Sequence, residues 1–244
     1  MADANDEAER DAQSLPYYEP SIPFAEQRCE LRGSLSTSVA ESLDHAPGTW
    51  RFSSRRDRPI QLYIREQFVS EAECGALMAL IDSGSYPSPL FEKNKYAGVR
   101  TSQSCNLDPY DPLVAQVDAR LARLVGIDRS FGEPLQGQRY DVGQEFRDHA
   151  DFFYIDQPYW LEYEPHGGQR TWTAMVFLGE PERGGATRFP LLDLDIQPVA
   201  GRLLVWNNMM PDGSPNPWTL HAGTPVEGGT KYIVTKWYRE RTFC

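Results

Sequence analysis

The run Gln138 to Asp151, QRYDVGQEFRDHAD, ends on a histidine and an aspartate two residues apart. Read as a strand, a turn and a second strand, it puts His149 and Asp151 on one face and turns Ala150 away, because alternate side chains of a strand share a face. An imidazole and a carboxylate side by side are two thirds of the two-histidine, one-carboxylate set that binds Fe(II) and leaves positions open for substrate and oxygen. The chain has four histidines. His45 lies outside the strand-rich half and His166 falls in a loop, so His221 is the best-placed third ligand. It opens HAGTPVEGGTKYIVTKWYRE, which also carries Lys231. From there Lys231, Ile233, Thr235 and Trp237 alternate onto one face, and their company is that of an interior. A lysine buried there needs an anion beside it, and a co-substrate carboxylate near an iron centre would be one. A single strand histidine is usually structural, and an H-x-D pair arises by chance. The joint pattern of pair, third histidine and interior lysine is what points to metal chemistry.

The elements that must position these residues follow from patterning. The chain has 244 residues, 40% of them hydrophobic, enough for one domain with a sizeable core. Its net charge of −11 speaks against nucleic acid and anionic membrane as partners. Five acids against Arg10 alone in residues 1–13 mark a solvated tail. Residues 14–56, rich in Pro, Ser and charge, read as an extended arm packing on the domain through Tyr17, Tyr18, Phe24 and Trp50. We therefore divide the chain into an acidic tail and arm, 1–56, and a single domain, 57–244. No stretch near the start has signal-peptide character, none reaches transmembrane length, and Cys29, Cys74, Cys105 and Cys244 show no CxxC spacing, so the expected compartment is a reducing cytoplasm.

Within the domain, Gln61–Phe68 reads as a strand, and Ser70 with Glu73 as a capping box opening a helix to about Ser83. VRTSQSCNL reads as a strand after a loop rich in Pro, Gly and Lys. Asp111 and Pro112 open a second helix, which presents Val117, Leu121 and Leu124 on one face until Gly126. After Pro134 the turn signals Gly143, Gly167–Gly168, Gly184–Gly185, Pro198–Gly201 and Gly228–Gly229 separate seven or eight short strands. The expected class is mainly β (α+β), a double-stranded β-helix or jelly roll with helices packed on one sheet. The segments Tyr86–Ala97 and Tyr154–Gln169 are expected to be mobile and to close over substrate.

The motifs, in order, resemble the prolyl 4-hydroxylase branch of the Fe(II)/2-oxoglutarate-dependent dioxygenases over Pro59 to Phe243. They are RTS (Arg100 to Ser102), Tyr140 nine residues before His149, the H-x-D pair, and GGQR ending at Arg170. GGATRFP (Gly184 to Pro190), the PxxG turn before Trp206, and HAGTPV followed by Lys231 complete the series. The resemblance implies His149, Asp151 and His221 as iron ligands, and Lys231 on the distal carboxylate of 2-oxoglutarate with Tyr140 and Thr235 as hydrogen-bonding partners. It places Arg100, Arg170 and Trp237 on the substrate side; read alone, the two arginines equally suit surface ion pairs and Trp237 plain core. Phe177 and Phe146 stand where relatives usually carry tyrosine.

The cofactors implied are Fe(II), 2-oxoglutarate and O2, with ascorbate as reductant. The reaction implied is hydroxylation, since halogenating relatives lack the carboxylate that Asp151 supplies. The substrate expected is a proline in a peptide or protein. Hydroxylation of a free amino acid or small metabolite is the alternative, and a jelly-roll binding module without catalysis the reading of a different class. Lys231 argues against the last, because a binding module has no need of an interior cation at this distance from His221.

Overall fold

The computed structural model describes residues 20–52, 57–88 and 100–244. Three long helices are specified by different local signals. α1 (Glu30–His45) has no side-chain cap at Cys29 and buries Ser36, Val39, Ala40 and Leu43. α2 (Glu71–Gly84) starts on the complete Ser70–Glu73 capping box and buries Cys74, Leu77 and Ile81. α3 (Pro112–Val125) starts where Asp111 accepts from the amides of Leu113 and Val114, has Pro112 in its first turn, and stops at Gly126 in the left-handed region with φ 72°. α2 and α3 match the sequence reading. α1 corrects it: much of the supposed extended arm is a helix, whose buried positions 36, 39, 40 and 43 keep the period of 3.6 among small polar residues that blur it. Of the expected arm contacts, Phe24 packs edge-on to Phe152 at 5.3 Å, Trp50 is half exposed, and Tyr17 and Tyr18 lie outside the described residues.

The strands are β1 (Thr49–Arg51), β2 (Leu62–Arg65), β3 (Tyr86–Pro87), β4 (Gln103–Asn106), β5 (Gln136–Tyr140), β6 (Phe146–His149), β7 (Arg170–Phe177), β8 (Arg183–Gly184), β9 (Thr187–Phe189), β10 (Leu194–Ile196), β11 (Leu203–Asn207), β12 (His221–Gly223), β13 (Val226–Gly228) and β14 (Lys231–Arg239). A short helix, α4 (Trp160–Tyr163), lies between β6 and β7. Eight strands form one sheet in the order β1-β2-β11-β7-β14-β5-β4-β3, four form a second, β10-β9-β12-β6, and β13 pairs with β8. The large sheet carries the helices on one face and the small sheet on the other, a jelly roll with helices on one sheet.

Period-two alternation builds this directly. Trp172, Ala174 and Val176 of β7, Leu203 and Val205 of β11, and Val234 and Tyr238 of β14 join the helices in one core. Met175 and Phe177, Leu204 and Trp206, and Ile233, one residue out of phase on the same strands, join Tyr140, Phe189 and Ile196 in the core between the sheets. Among the described residues no helix is long and apolar enough to cross a membrane.

The segment before and within α1 is laced to the loops beside the small sheet. The amide and hydroxyl of Ser21 donate to Asp156, the Cys29 amide to Asp212 O at 3.2 Å, and Arg32 Nε to Gly213 O at 2.6 Å. Gly33 is required here, since a Cβ would stand 2.8 Å from Pro211 O. The loop 154–169 has more hold than the sequence suggests. The Gln169 side chain bonds both main-chain groups of Phe153, and Phe153 stacks on Tyr163 at 5.1 Å. Of the other segment expected to close, Tyr86–Pro87 pairs with β4, and positions 89–97 lie outside the described residues.

Candidate iron and 2-oxoglutarate site

β6 and β12 are antiparallel neighbours in which His149 and His221 are direct partners, the geometry that brings cross-strand side chains closest. Their rings lie 4.2 Å apart. β6 ends at His149, so Asp151 is not on the strand as the sequence reading assumed; a bend beyond the strand brings it alongside. The carboxylate still reaches both rings, Oδ1 at 3.9 Å from His149 Nε2 and Oδ2 at 3.8 Å from His221 Nε2. One ligand atom from each of the three lies within 4.8 Å of the others, the one such cluster of His, Cys, Asp and Glu among the described residues. His45 and His166 are elsewhere.

The hydrogen bonds around the three leave metal-facing lone pairs free. His149 Nδ1 is 2.8 Å from Arg147 O and His221 Nδ1 is 2.9 Å from Thr219 O. Each ring therefore donates through Nδ1 and presents Nε2 as an acceptor, the tautomer a metal needs. Burial, and then the neighbouring His221, pull His149 down to about 3, so it is neutral at working pH. Burial pushes Asp151 up, but His221, His149, Arg170 and the Thr173 hydroxyl together outweigh it and hold the carboxyl below its usual range. Phe146 stacks on His149 at 3.5 Å, and Trp206 meets His221 at 5.0 Å. These donor atoms are the hard oxygen and two borderline nitrogens that suit Fe(II).

The same cavity continues toward β14, lined by Tyr140, Met175, Lys231, Ile233, Thr235 and Trp237 among others. Lys231 is 1% exposed. Its Nζ lies 5.3 Å from the Tyr140 ring and 5.5 Å from the Phe177 ring. No anionic partner meets it among the described residues, and burial pulls it from 10.5 to about 7. A cation left in this state fits a carboxylate brought in from outside. Tyr140 is paired in register with Lys231, and Thr235 with Gln136. The Gln138 side chain ties the two hydroxyls together, accepting from Tyr140 at 2.7 Å and donating to Thr235 at 3.4 Å. Sequence reading missed Gln138, although it shares the face of Tyr140 two residues on.

The three substrate-side residues divide. Arg100 bridges in β fashion to Phe146, stacks over its ring at 4.8 Å, and donates to Ser102, Ser104 and Gln136. It has no carboxylate partner among the described residues. Arg170 is engaged differently. Both arms of its fork go to Glu133, which also pairs with Arg239 at 2.7 Å, and its face covers Trp237 at 4.1 Å. It is a buried ion pair, neither the surface pair nor the free donor considered from sequence. Glu133, Thr173 and Asn208 also escaped the sequence reading, because their partners lie 37, 22 and 35 residues away and meet them only in the folded chain.

Sandwich and site together define a class: a non-haem iron centre of the two-histidine, one-carboxylate kind inside a jelly roll, with a buried cation for an acidic co-substrate. Residues 135–239 match the 2OG-Fe(II) oxygenase superfamily. Probable prolyl 4-hydroxylase 3 of Arabidopsis thaliana is 30% identical over 199 residues, 72% of this chain and 68% of that protein. Prolyl 4-hydroxylase subunit alpha-1 of Gallus gallus is 35% identical over 146 residues, 59% of this chain but 28% of the subunit, so the chain spans under a third of that relative's length. The crystal structure of a viral collagen prolyl hydroxylase from Paramecium Bursaria Chlorella virus-1, in its 2OG complex, matches with a TM-score of 0.56 at 25% identity, covering 72% of this chain and 94% of that one. The chain belongs to the prolyl 4-hydroxylase family of the 2OG-Fe(II) oxygenases. Its cofactor set is accordingly Fe(II), 2-oxoglutarate and O2.

Proposed function

We propose that this protein hydroxylates a prolyl residue presented in a peptide or protein segment. The observation that carries the reading is Lys231, a lysine with no anionic partner among the described residues, buried in the cavity that holds His149, Asp151 and His221. In this reading the two Nε2 atoms and the Asp151 carboxylate hold Fe(II), and Lys231 takes the distal carboxylate of 2-oxoglutarate. The Tyr140 and Thr235 hydroxyls flank that contact, released from Gln138 to serve it. Phe177 offers only its ring, so the charge of Lys231 carries more of the affinity than where a phenol assists. When bound, iron with 2-oxoglutarate and O2 supplies the oxidising power that turns a C–H bond into C–OH, 2-oxoglutarate leaving as succinate and CO2.

The substrate-side residues suit a proline-containing segment. Trp237, which lines the cavity and has the Arg170 guanidinium over its ring, offers an apolar wall to a pyrrolidine ring, and Arg100 offers N–H donors to the carbonyls of a segment whose prolines have no N–H of their own. One observation favours a second reading, hydroxylation of a free amino acid: the Arg100 guanidinium, which meets no carboxylate among the described residues, also suits an α-carboxylate. Four free thiols, two of them buried, support a reducing, cytoplasmic setting. Mass spectrometry after turnover with Fe(II), ascorbate and 2-oxoglutarate separates the readings. Addition of one oxygen to proline within peptides is expected; oxygen added to free proline alone, or to a non-proline metabolite, would overturn the peptide assignment.

A further inference from the structure

Two of the three metal-facing side chains are oriented by backbone carbonyls, which any sequence would supply at those positions. Asp151 is not. Its Oδ2 accepts from Thr173 Oγ1 at 2.7 Å, and Thr173 Oγ1 accepts from Asn208 Nδ2 at 2.9 Å. Thr173 and Asn208 are both 0% exposed. A hydroxyl has one proton to give. Because the Asn208 amide donates into the threonine oxygen, the threonine proton is left for the carboxylate. Turning the amide over would place an acceptor there, divert that proton, and strip a buried carboxylate of its one hydrogen bond, the stronger bond of the two because it is charge-assisted. Asn208 Oδ1 has no partner among the described residues, so the residue acts on Thr173 through its donor alone. Asp151 Oδ1 accepts no hydrogen bond among the described residues.

We propose that Thr173 and Asn208 are positioning residues that engage Asp151 Oδ2 and present Oδ1, so that the carboxylate binds the metal through one oxygen. The inference rests on reading the triad as an iron site and specifies how its carboxylate is used. One-oxygen binding matters because three protein ligands leave three of six positions, and 2-oxoglutarate with O2 needs all three. A carboxylate free to swing and bind through both oxygens would occupy one of them. The residue types are thus constrained: position 173 needs a hydroxyl and position 208 a donor.

The test uses the full chain with Co(II) alone as the metal probe, then 2-oxoglutarate added at saturating Co(II), both followed by calorimetry on proteins shown to be folded by circular dichroism. Thr173→Val is expected to weaken Co(II) binding by about 10- to 100-fold and to weaken 2-oxoglutarate binding to the Co(II)-loaded protein as well. Thr173→Ser, which keeps the hydroxyl, should restore both to within a few-fold of the parent. Asn208→Asp keeps the shape but replaces the donor with acceptors, so it should behave like Thr173→Val; it carries the test if the valine protein fails to fold. Parent-like binding of both ligands by folded Thr173→Val or Asn208→Asp overturns the proposal, as does a serine variant no better than the valine one. A parent that binds no Co(II) at all overturns the reading of the site itself, which the variants cannot do.

Discussion

Replacing Lys231 with methionine should make the ligand-free protein more stable and the enzyme worse. The unfolded chain keeps the lysine proton up to about 10.5, whereas the folded chain releases it near about 7. Between those values the unfolded state binds more protons, so the contribution of Lys231 to stability rises with pH through that window and is at its worst below it. At about 1.4 kcal/mol per pH unit, the burden on the folded state near neutral pH is of order 5 kcal/mol. Methionine has a similar reach and no charge. Replacing a buried charge by a well-packed apolar group is commonly worth about 1–4 kcal/mol, and about 2–4 °C per kcal/mol for a domain of this size. The variant gives up an ammonium–carboxylate hydrogen bond to 2-oxoglutarate, a charge-assisted interaction of roughly 1.5–3 kcal/mol, so affinity should fall about 10- to 150-fold. Calorimetric melting without ligands, and titration of 2-oxoglutarate into the metal-loaded protein, give the two numbers. A variant that melts several degrees lower and binds 2-oxoglutarate as the parent does would refute the reasoning, since Lys231 would then be a satisfied structural cation.

Binding of 2-oxoglutarate by the parent should itself depend on pH. An anion beside Lys231 restores its proton, so affinity should drop by up to about tenfold per pH unit above about 7, with proton uptake visible as a buffer-dependent heat; a flat profile from about pH 7 to 9 would contradict this. His149→Ala and Asp151→Ala should lose stoichiometric iron while staying folded, measured by metal analysis, and full retention in both would remove the triad assignment. Glu133→Gln breaks a buried pairing with both Arg170 and Arg239 and should destabilise by about 3–5 kcal/mol. It should also raise KM for the proposed peptide substrate more than it lowers kcat, because Arg170 no longer holds the Trp237 indole; unchanged melting would show the cluster to be dispensable.

What can be read from the sequence is whatever the chain states locally. The caps at Ser70 and Asp111 are written within a few residues of their own partners, and both helices start where those caps say. The alternation from Lys231 to Trp237 places four side chains in the cavity because a strand's parity needs no neighbour to define it. α1 is hidden because its start at Cys29 carries no cap and its buried face mixes Ser36 and Ala40 with only two larger side chains. The H-x-D spacing identifies the pair, yet the shared-face argument behind it is not the operative one, since a bend rather than a strand delivers Asp151. Glu133, Thr173 and Asn208, and Gln138 toward Thr235, act through partners far away in sequence that only the folded chain brings near. Glutamate, glutamine, threonine and asparagine are common enough that nothing in their own neighbourhoods distinguishes them.

The place of β14 has a consequence for how the molecule is made. It is the last strand of the large sheet to be synthesised, yet it inserts between β5 and β7 near the middle. Until residues 231–239 have emerged, those two strands face each other across a gap, each with an unpaired edge, and the sheet can assemble only in two pieces. Pairing across such sequence distances is slow, and the waiting edges invite association with other chains. The same order of events governs the site. His221 is the last of the three candidate metal ligands to be made and Lys231 follows ten residues later. A nascent chain therefore lacks the full metal set until His221 has emerged and the buried cation until Lys231 has, and the cavity is complete only once the last strand is in place.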